Sequence, residues 1–164
     1  MEIDIELADI EEKSLLQRMI ELYQYDFSEY DGSDLDAHGM FGYPYLDHYW
    51  VEENRHPYLV RVDGKLAGFV LVSRHSLLSG EEHSISEFFI LRKYRRQGVG
   101  RKVAGWVFDQ HPGKWEVCEL DCNPPAQAFW RKVIAEYTGG NYQELILDDD
   151  NWKGPVQMFD NSGT

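Results

Sequence analysis

Apolar positions change their spacing several times along this chain, and each change marks an element. Ile3 to Leu7 alternate with acidic residues at the two-residue period of a short, half-buried strand. From Ile10 to Phe27 the period lengthens, so that Leu15, Met19 and Tyr23, with Leu16 and Ile20 beside them, share one side of an amphipathic helix. Tyr30 to Gly42 is rich in Asp and Gly and reads as a loop; Tyr45 to Asn54 is expected to form a second, short helix before Pro57. Tyr58 to Val62 and Leu66 to Ser73 are β-prone runs joined by Asp63-Gly64, a dipeptide that accepts the positive φ of a tight hairpin.

Ser84 to Leu91, rich in Ile and Phe, predicts a further strand. Helical spacing returns between Gly98 and Gln110 through Val99, Val103 and Val107, with Ala104 and Phe108 alongside. Trp115 to Leu120 reads as a strand, Asn123 to Glu136 as a helix burying Ala126, Phe129, Trp130 and Val133, and Tyr142 to Leu147 and Val156 to Phe159 as closing strands. With no internal repeat, linker or low-complexity tract, this order predicts a single domain over residues 1–164. The class is α/β (α+β), a mixed sheet flanked by about four helices.

Composition agrees: 43% apolar and 14% aromatic residues suffice for a packed core and argue against disorder. No apolar run is long enough to span a membrane, and Met1-Glu2-Ile3-Asp4 has neither the basic start nor the apolar stretch of a secretory signal, so a cytoplasmic protein is expected. A net charge of −13 opposes nucleic acid or an anionic membrane surface as a partner. Locally the sign reverses: six of the sixteen Lys and Arg residues fall between Arg92 and Lys102. Cys118 and Cys122, read on or just after a strand at about 3.3 Å per residue, stand roughly 13 Å apart, too far for a disulfide. No pair of the six histidines has zinc-finger spacing, and no metal is expected.

The basic island lies in Phe88-Phe89-Ile90-Leu91-Arg92-Lys93-Tyr94-Arg95-Arg96-Gln97-Gly98-Val99-Gly100-Arg101-Lys102. A strand runs into a basic turn whose glycines open a helix. Gly98 and Gly100 let backbone N–H groups approach a ligand, and the helix N-terminus adds partial positive charge, which together suit a phosphate or pyrophosphate. A Walker-type loop is excluded, since the Lys-Ser/Thr pair is missing. A dinucleotide fingerprint would want a small residue at Val103, although Ala104 and Asp121 keep a nucleotide-dependent oxidoreductase open as a rival.

Arg95-Arg96-Gln97-Gly98-Val99-Gly100 resembles the pyrophosphate loop of the GNAT acetyltransferase family, with Tyr94-Arg95 at its aromatic-Arg pair and Phe88-Phe89-Ile90 similar to its apolar fourth strand. Asn123-Pro124-Pro125-Ala126, followed by Phe129, Trp130 and Lys132, is similar to the family's second signature. The resemblance implies a mixed, mostly antiparallel sheet and acetyl-coenzyme A (acetyl-CoA) as co-substrate. It implies that backbone N–H groups around Gln97, Gly98, Val99, Gly100 and Arg101 hold the pyrophosphate, with Arg95, Arg96, Arg101 and Lys102 supplying charge. Backbone at Ile90 and Leu91 would align the pantetheine arm and donate to the thioester carbonyl. Asn123 would bond the arm from its far side, with Phe129 and Trp130 packed near it. Relatives are often dimers, so the resemblance also allows a homodimer.

Acetyl transfer needs the acceptor amine deprotonated, which for a lysine-like group of pKa about 10.4 costs roughly 4.6 kcal/mol at pH 7. Glu87, one residue before the apolar triplet, stands where many members of the family it resembles carry an acidic residue near the acceptor, and the resemblance makes it the candidate general base, directly or through a water. Its plainer alternative is a charged residue facing solvent. Trp130 stands where the family often has a tyrosine acid, leaving Tyr137 and Tyr142 as substitutes. The departure admits a second rival, a non-catalytic acyl-CoA-binding module. Between Tyr23 and Trp50, aromatics crowd together with Asp26, Glu29, Asp31, Asp34 and Asp36, a combination that suits a cationic small-molecule or peptide amine.

Overall fold

A capping box starts the first helical segment: the Glu12 N–H donates to Asp9 Oδ1 at 3.1 Å, and the Asp9 N–H donates to Glu12 Oε1 at 3.3 Å. These contacts belong to a computed structural model that describes residues 1–78 and 80–163. A 3₁₀ turn, Ile10–Glu12, leads into helix α1, Lys13–Asp31. The helix runs past the expected end at Phe27 because the first residue able to stop it cheaply is Gly32, left-handed at φ 71°, whose N–H donates to the Ser28 carbonyl.

The strands are β1 (Ile3–Leu7), β2 (His56–Val62), β3 (Lys65–Ser73), β4 (His83–Ile90), β5 (Lys114–Cys118), β6 (Gln143–Asp148) and β7 (Lys153–Asp160), in the sheet order β1-β2-β3-β4-β5-β7-β6. Pairings β1/β2, β2/β3, β5/β7 and β6/β7 are antiparallel, and β4/β5 is parallel. A dinucleotide-binding fold repeats parallel βαβ units, whereas four of these five pairings are antiparallel, so the topology lends the oxidoreductase reading no support. Helices α2 (Val99–Gln110) and α3 (Pro124–Thr138) complete the elements. Three α-helices stand among the described residues where about four were expected. The segment predicted as a helix at Tyr45 to Asn54 is only a 3₁₀ turn, Leu46–Trp50. Its buried residues Leu46 and Tyr49 are three apart, the spacing that 3₁₀ winding eclipses, and so short a segment cannot repay α-helix nucleation.

By contacts the chain divides into two compact units, Met1–Val72 with Glu87–Tyr94, and Ser73–Ser86 with Arg95–Thr164. In the first, Leu16, Met19 and Ile20 of α1 bury against Leu59, Phe69, Leu71 and Phe89, with Leu46 and Tyr49. The β2–β3 hairpin turns through Asp63 at φ 49° and Gly64 at φ 77°, the left-handed pair its dipeptide predicts. A Cβ on Gly68 of β3 would lie 2.1 Å from the Phe89 carbonyl oxygen of β4, so only glycine permits this approach. In the second unit Phe108 of α2 meets Trp115 of β5 and Phe159 of β7, each at 4.9 Å between ring centroids in edge-to-face geometry. No helix among the described residues is long and apolar enough to cross a membrane. Cys118 and Cys122 are not joined in a disulfide.

Candidate active site

In the first unit, Glu87 on β4 is partly buried between two phenols. Tyr23 from α1 and Tyr43 from the loop after it both hydrogen-bond its carboxylate. Desolvation pushes the Glu87 carboxyl up to about 7, while the two phenol hydrogen bonds pull it down. Burial and the neighbouring carboxylate push both phenols well above the ordinary tyrosine value, so they remain donors. A carboxylate has about four lone-pair positions, so two phenols leave room for a further donor. A carboxyl at about 7 is a competent base at neutral pH. Tyr23 and Tyr43 were visible in the sequence as aromatics only; no local spacing ties them to Glu87.

At the end of β4 the Leu91 N–H donates to the Ala67 carbonyl at 2.8 Å. That bond corrects the expectation that Leu91 donates to a thioester carbonyl, because its one N–H is already spent. Strand N–H groups alternate between edges, so the Ile90 N–H is directed to the opposite edge from β3. Arg92 pairs with Asp26 through Nε at 3.0 Å, and Lys93 lies 5.3 Å from the Tyr94 ring centroid. Part of the basic island therefore serves the fold. The acidic loop does the same: Asp31 accepts from the Ser33 N–H at 2.9 Å, Asp36 from His38 at 2.8 Å and Met40 at 3.0 Å, and Asp26 is taken by Arg92. Asp26, Asp31 and Asp36 thus hold local structure through one oxygen each.

In the second unit, Arg96 at φ 60° and Gly98 at φ 81° turn the chain into α2. The first i→i−4 bond of α2 runs from the Lys102 N–H to the Gly98 carbonyl at 3.1 Å, so the N–H groups of Val99, Gly100 and Arg101 have no acceptor within the helix. A Cβ on Gly98 would meet nothing within 4 Å, which leaves open space in front of the turn. Gln97, Arg96, Arg101 and Lys102 are exposed and Arg95 partly so. Arg101 lies 3.5 Å from Glu136. Open backbone donors, a helix N-terminus and clustered cations fit the pyrophosphate of a coenzyme.

Asn123 is buried and caps α3, its Oδ1 accepting from the Ala126 N–H at 3.2 Å. With the oxygen so used, its amide nitrogen is the group it can offer a ligand. Trp130 is 6% exposed and Phe129 packs against it at 5.0 Å. Tyr137 is unsuited as an acid, since its hydroxyl donates to Asp109 at 2.7 Å and accepts from Asn161 at 3.1 Å. Ile134 is fully buried and the helix continues to Gly139, left-handed at φ 62°.

A basic glycine turn leads from a strand into a helix on this mixed sheet. The chain belongs to the acetyltransferase (GNAT) family, whose sequence model matches residues 16–134, and acetyl transfer is the general chemistry of that family. No curated protein matches it by sequence. Among solved structures it is similar to an acetyltransferase from Thermus thermophilus, with TM-score 0.72, 15% identity, and coverage of 98% of this chain and 97% of that one. It is also similar to an aminoglycoside acetyltransferase in complex with coenzyme A (TM-score 0.64, 13% identity, 97% and 95% covered). A third is spermidine N-acetyltransferase from Vibrio cholerae in complex with coenzyme A and spermine (TM-score 0.61, 10% identity, 98% and 96% covered). Identities this low carry the fold alone.

Proposed function

We propose that residues 1–164 act as one acetyl-CoA-dependent N-acetyltransferase domain, with Glu87 as general base and a primary amine of cationic character as acceptor. The observation that carries this reading is the Glu87 carboxyl, held near neutral by burial while two phenols orient it. A desolvated carboxyl with no use would be a standing cost. That solved relatives hold coenzyme A, one of them with spermine, supports the choice of co-substrate and of a cationic acceptor.

The coenzyme supplies an activated acetyl thioester. Glu87 takes one proton from the acceptor ammonium; the nitrogen bonds to the carbonyl carbon, the C–S bond breaks, and the sulfur leaves as thiolate, which takes up the second proton that the nitrogen sheds. A thiol of pKa about 8.5 departs without an obligatory acid, so Trp130 in place of tyrosine leaves the reaction feasible. The turn at Gln97 to Lys102 holds the pyrophosphate, with Arg95, Arg96 and Arg101 adding charge. The amide of Asn123 orients the arm beside Phe129 and Trp130.

Calorimetric titration with acetyl-CoA and coenzyme A, followed by an amine screen reading acetylated product, tests the reading. Wild-type protein is expected to bind both and turn over, Gly100→Glu to lose binding while staying folded, and Glu87→Gln to bind but lose at least a hundredfold in kcat. Binding without turnover across the amines would leave a coenzyme-binding module instead.

A further inference from the structure

We infer that Glu21 is a positioning residue for the general base, fastening to α1 the loop whose Tyr43 phenol bonds the Glu87 carboxylate. The inference rests on the reading of Glu87 as base and adds to it a residue that acts through the loop. All the residues concerned lie in the first unit.

Glu21 stands on α1, and its two oxygens are divided between consecutive backbone donors. Oε1 accepts from the Phe41 N–H at 2.8 Å and Oε2 from the Gly42 N–H at 2.9 Å. Gln24, about one helical turn further along α1, donates Nε2 to the Gly42 carbonyl at 2.7 Å. Three hydrogen bonds therefore fix the two residues that lead into Tyr43. Gly42 is left-handed at φ 78°, so the bend between the tether and the phenol suits glycine. On the far side the Tyr43 carbonyl accepts from the N–H of buried Leu46 at 3.3 Å. Earlier in the loop Asp36 accepts from His38 and Met40. Those bonds shape the loop, and the Glu21 and Gln24 bonds attach it to the helix.

Helix α1 thus sets both phenols: it carries Tyr23 and fastens Tyr43. These two phenols are the groups that face Glu87; Tyr49 of the 3₁₀ turn hydrogen-bonds Tyr43 from behind, and Asp31 acts on Tyr23 from the end of α1. Slackening the loop has two opposed effects on the Glu87 carboxyl. Loss of the Tyr43 bond raises its pKa, and water admitted beside it lowers the pKa by relieving desolvation. Only the first effect needs the phenol hydroxyl.

A double-mutant cycle separates them. The Glu87 carboxyl is titrated by carbon NMR in wild type, Glu21→Ala, Tyr43→Phe and the double variant, its resonance identified by its loss in Glu87→Gln. No coenzyme or acceptor is added. Water entry acts alike in both backgrounds, so the midpoint change caused by Glu21→Ala should lie about half to one pH unit higher with Tyr43 present than with Tyr43→Phe. Glu21→Gln keeps one acceptor and turns an amide donor toward the other N–H. It should give a difference of the same sign, and it carries the test if Glu21→Ala fails to fold. Equal changes in the two backgrounds of folded protein, or a difference of the opposite sign, would overturn the positioning role. The acid limb of kcat/KM judges the base reading: a limb that does not follow the NMR midpoints removes Glu87 as base and leaves the tether in place, so either can fail alone.

Discussion

The phenol of Tyr23, carried on α1, donates a hydrogen bond to the carboxylate of Glu87 on β4. Tyr43 supplies a second phenol from the following loop. Both bonds favour the ionised carboxyl and oppose the larger effect of burial, so the value of about 7 is a balance set by residues far apart in sequence.

Removing one phenol shifts that balance in a known direction. Tyr23→Phe takes away a hydrogen bond that lowers the Glu87 pKa, so the acid limb of kcat/KM should move upward by about half to one pH unit. The measurement is a pH–rate profile of wild type against variant; a limb moving downward would remove Glu87 from the base role.

Folding stability should depend on pH with the opposite sense to ordinary acid denaturation. The Glu87 and Glu119 carboxyls are raised from 4.5 to about 7 and about 8, so between 4.5 and those values the native state holds more protons than the unfolded chain. Their contribution is complete below about 4.5 and is lost as pH rises through 7 to 8, amounting to a few kcal/mol in order of magnitude. Urea unfolding at pH 5.5 and pH 8.5 should show the higher stability at the lower pH, and Glu119→Gln should flatten the difference.

Gly68→Ala places a methyl 2.1 Å from a carbonyl oxygen of the neighbouring strand. The variant should lose about 3 kcal/mol of stability, the upper part of the overpacking range, because backbone cannot yield as a side chain can. Chemical denaturation reads the loss. Since the oxygen belongs to Phe89, which precedes Ile90, activity should fall more than the remaining folded fraction explains.

Asn123 carries two separable duties. Asn123→Ser keeps an N-cap oxygen and should leave stability within about 0.5 kcal/mol, whereas Asn123→Ala should cost about 1 kcal/mol. If the amide nitrogen also holds the coenzyme arm, both variants should weaken coenzyme A by a similar factor, read by calorimetry. Retained affinity in the serine variant would reduce Asn123 to a cap.

Local interactions made much of the molecule readable in one dimension. Asp63-Gly64 specified a hairpin because left-handed φ at adjacent positions is a property of those residues. The strand, the basic turn and the glycine-opened helix from Phe88 to Lys102 were legible for the same reason, and with them the family loop. Helix α1 extends past the expected end at Phe27 because Tyr30 continues the aromatic spacing and the first left-handed stop is Gly32 at φ 71°. The expected helix at Tyr45 to Asn54 failed because its apolar spacing suits either winding and only burial of Leu46 and Tyr49 selects the tighter one.

By itself, then, the sequence determined the strands, helices α1, α2 and α3 and the basic glycine turn, governed by residues within a few positions of one another, while the family resemblance made Glu87 a candidate. Tertiary structure alone decided that Glu87 sits between Tyr23 and Tyr43, that the Leu91 N–H is given to Ala67, and that the Glu21 carboxylate takes the N–H groups of Phe41 and Gly42. The physical reason is shared: desolvation and hydrogen-bond pairing depend on which distant segments fold against a group, and no local periodicity encodes that meeting.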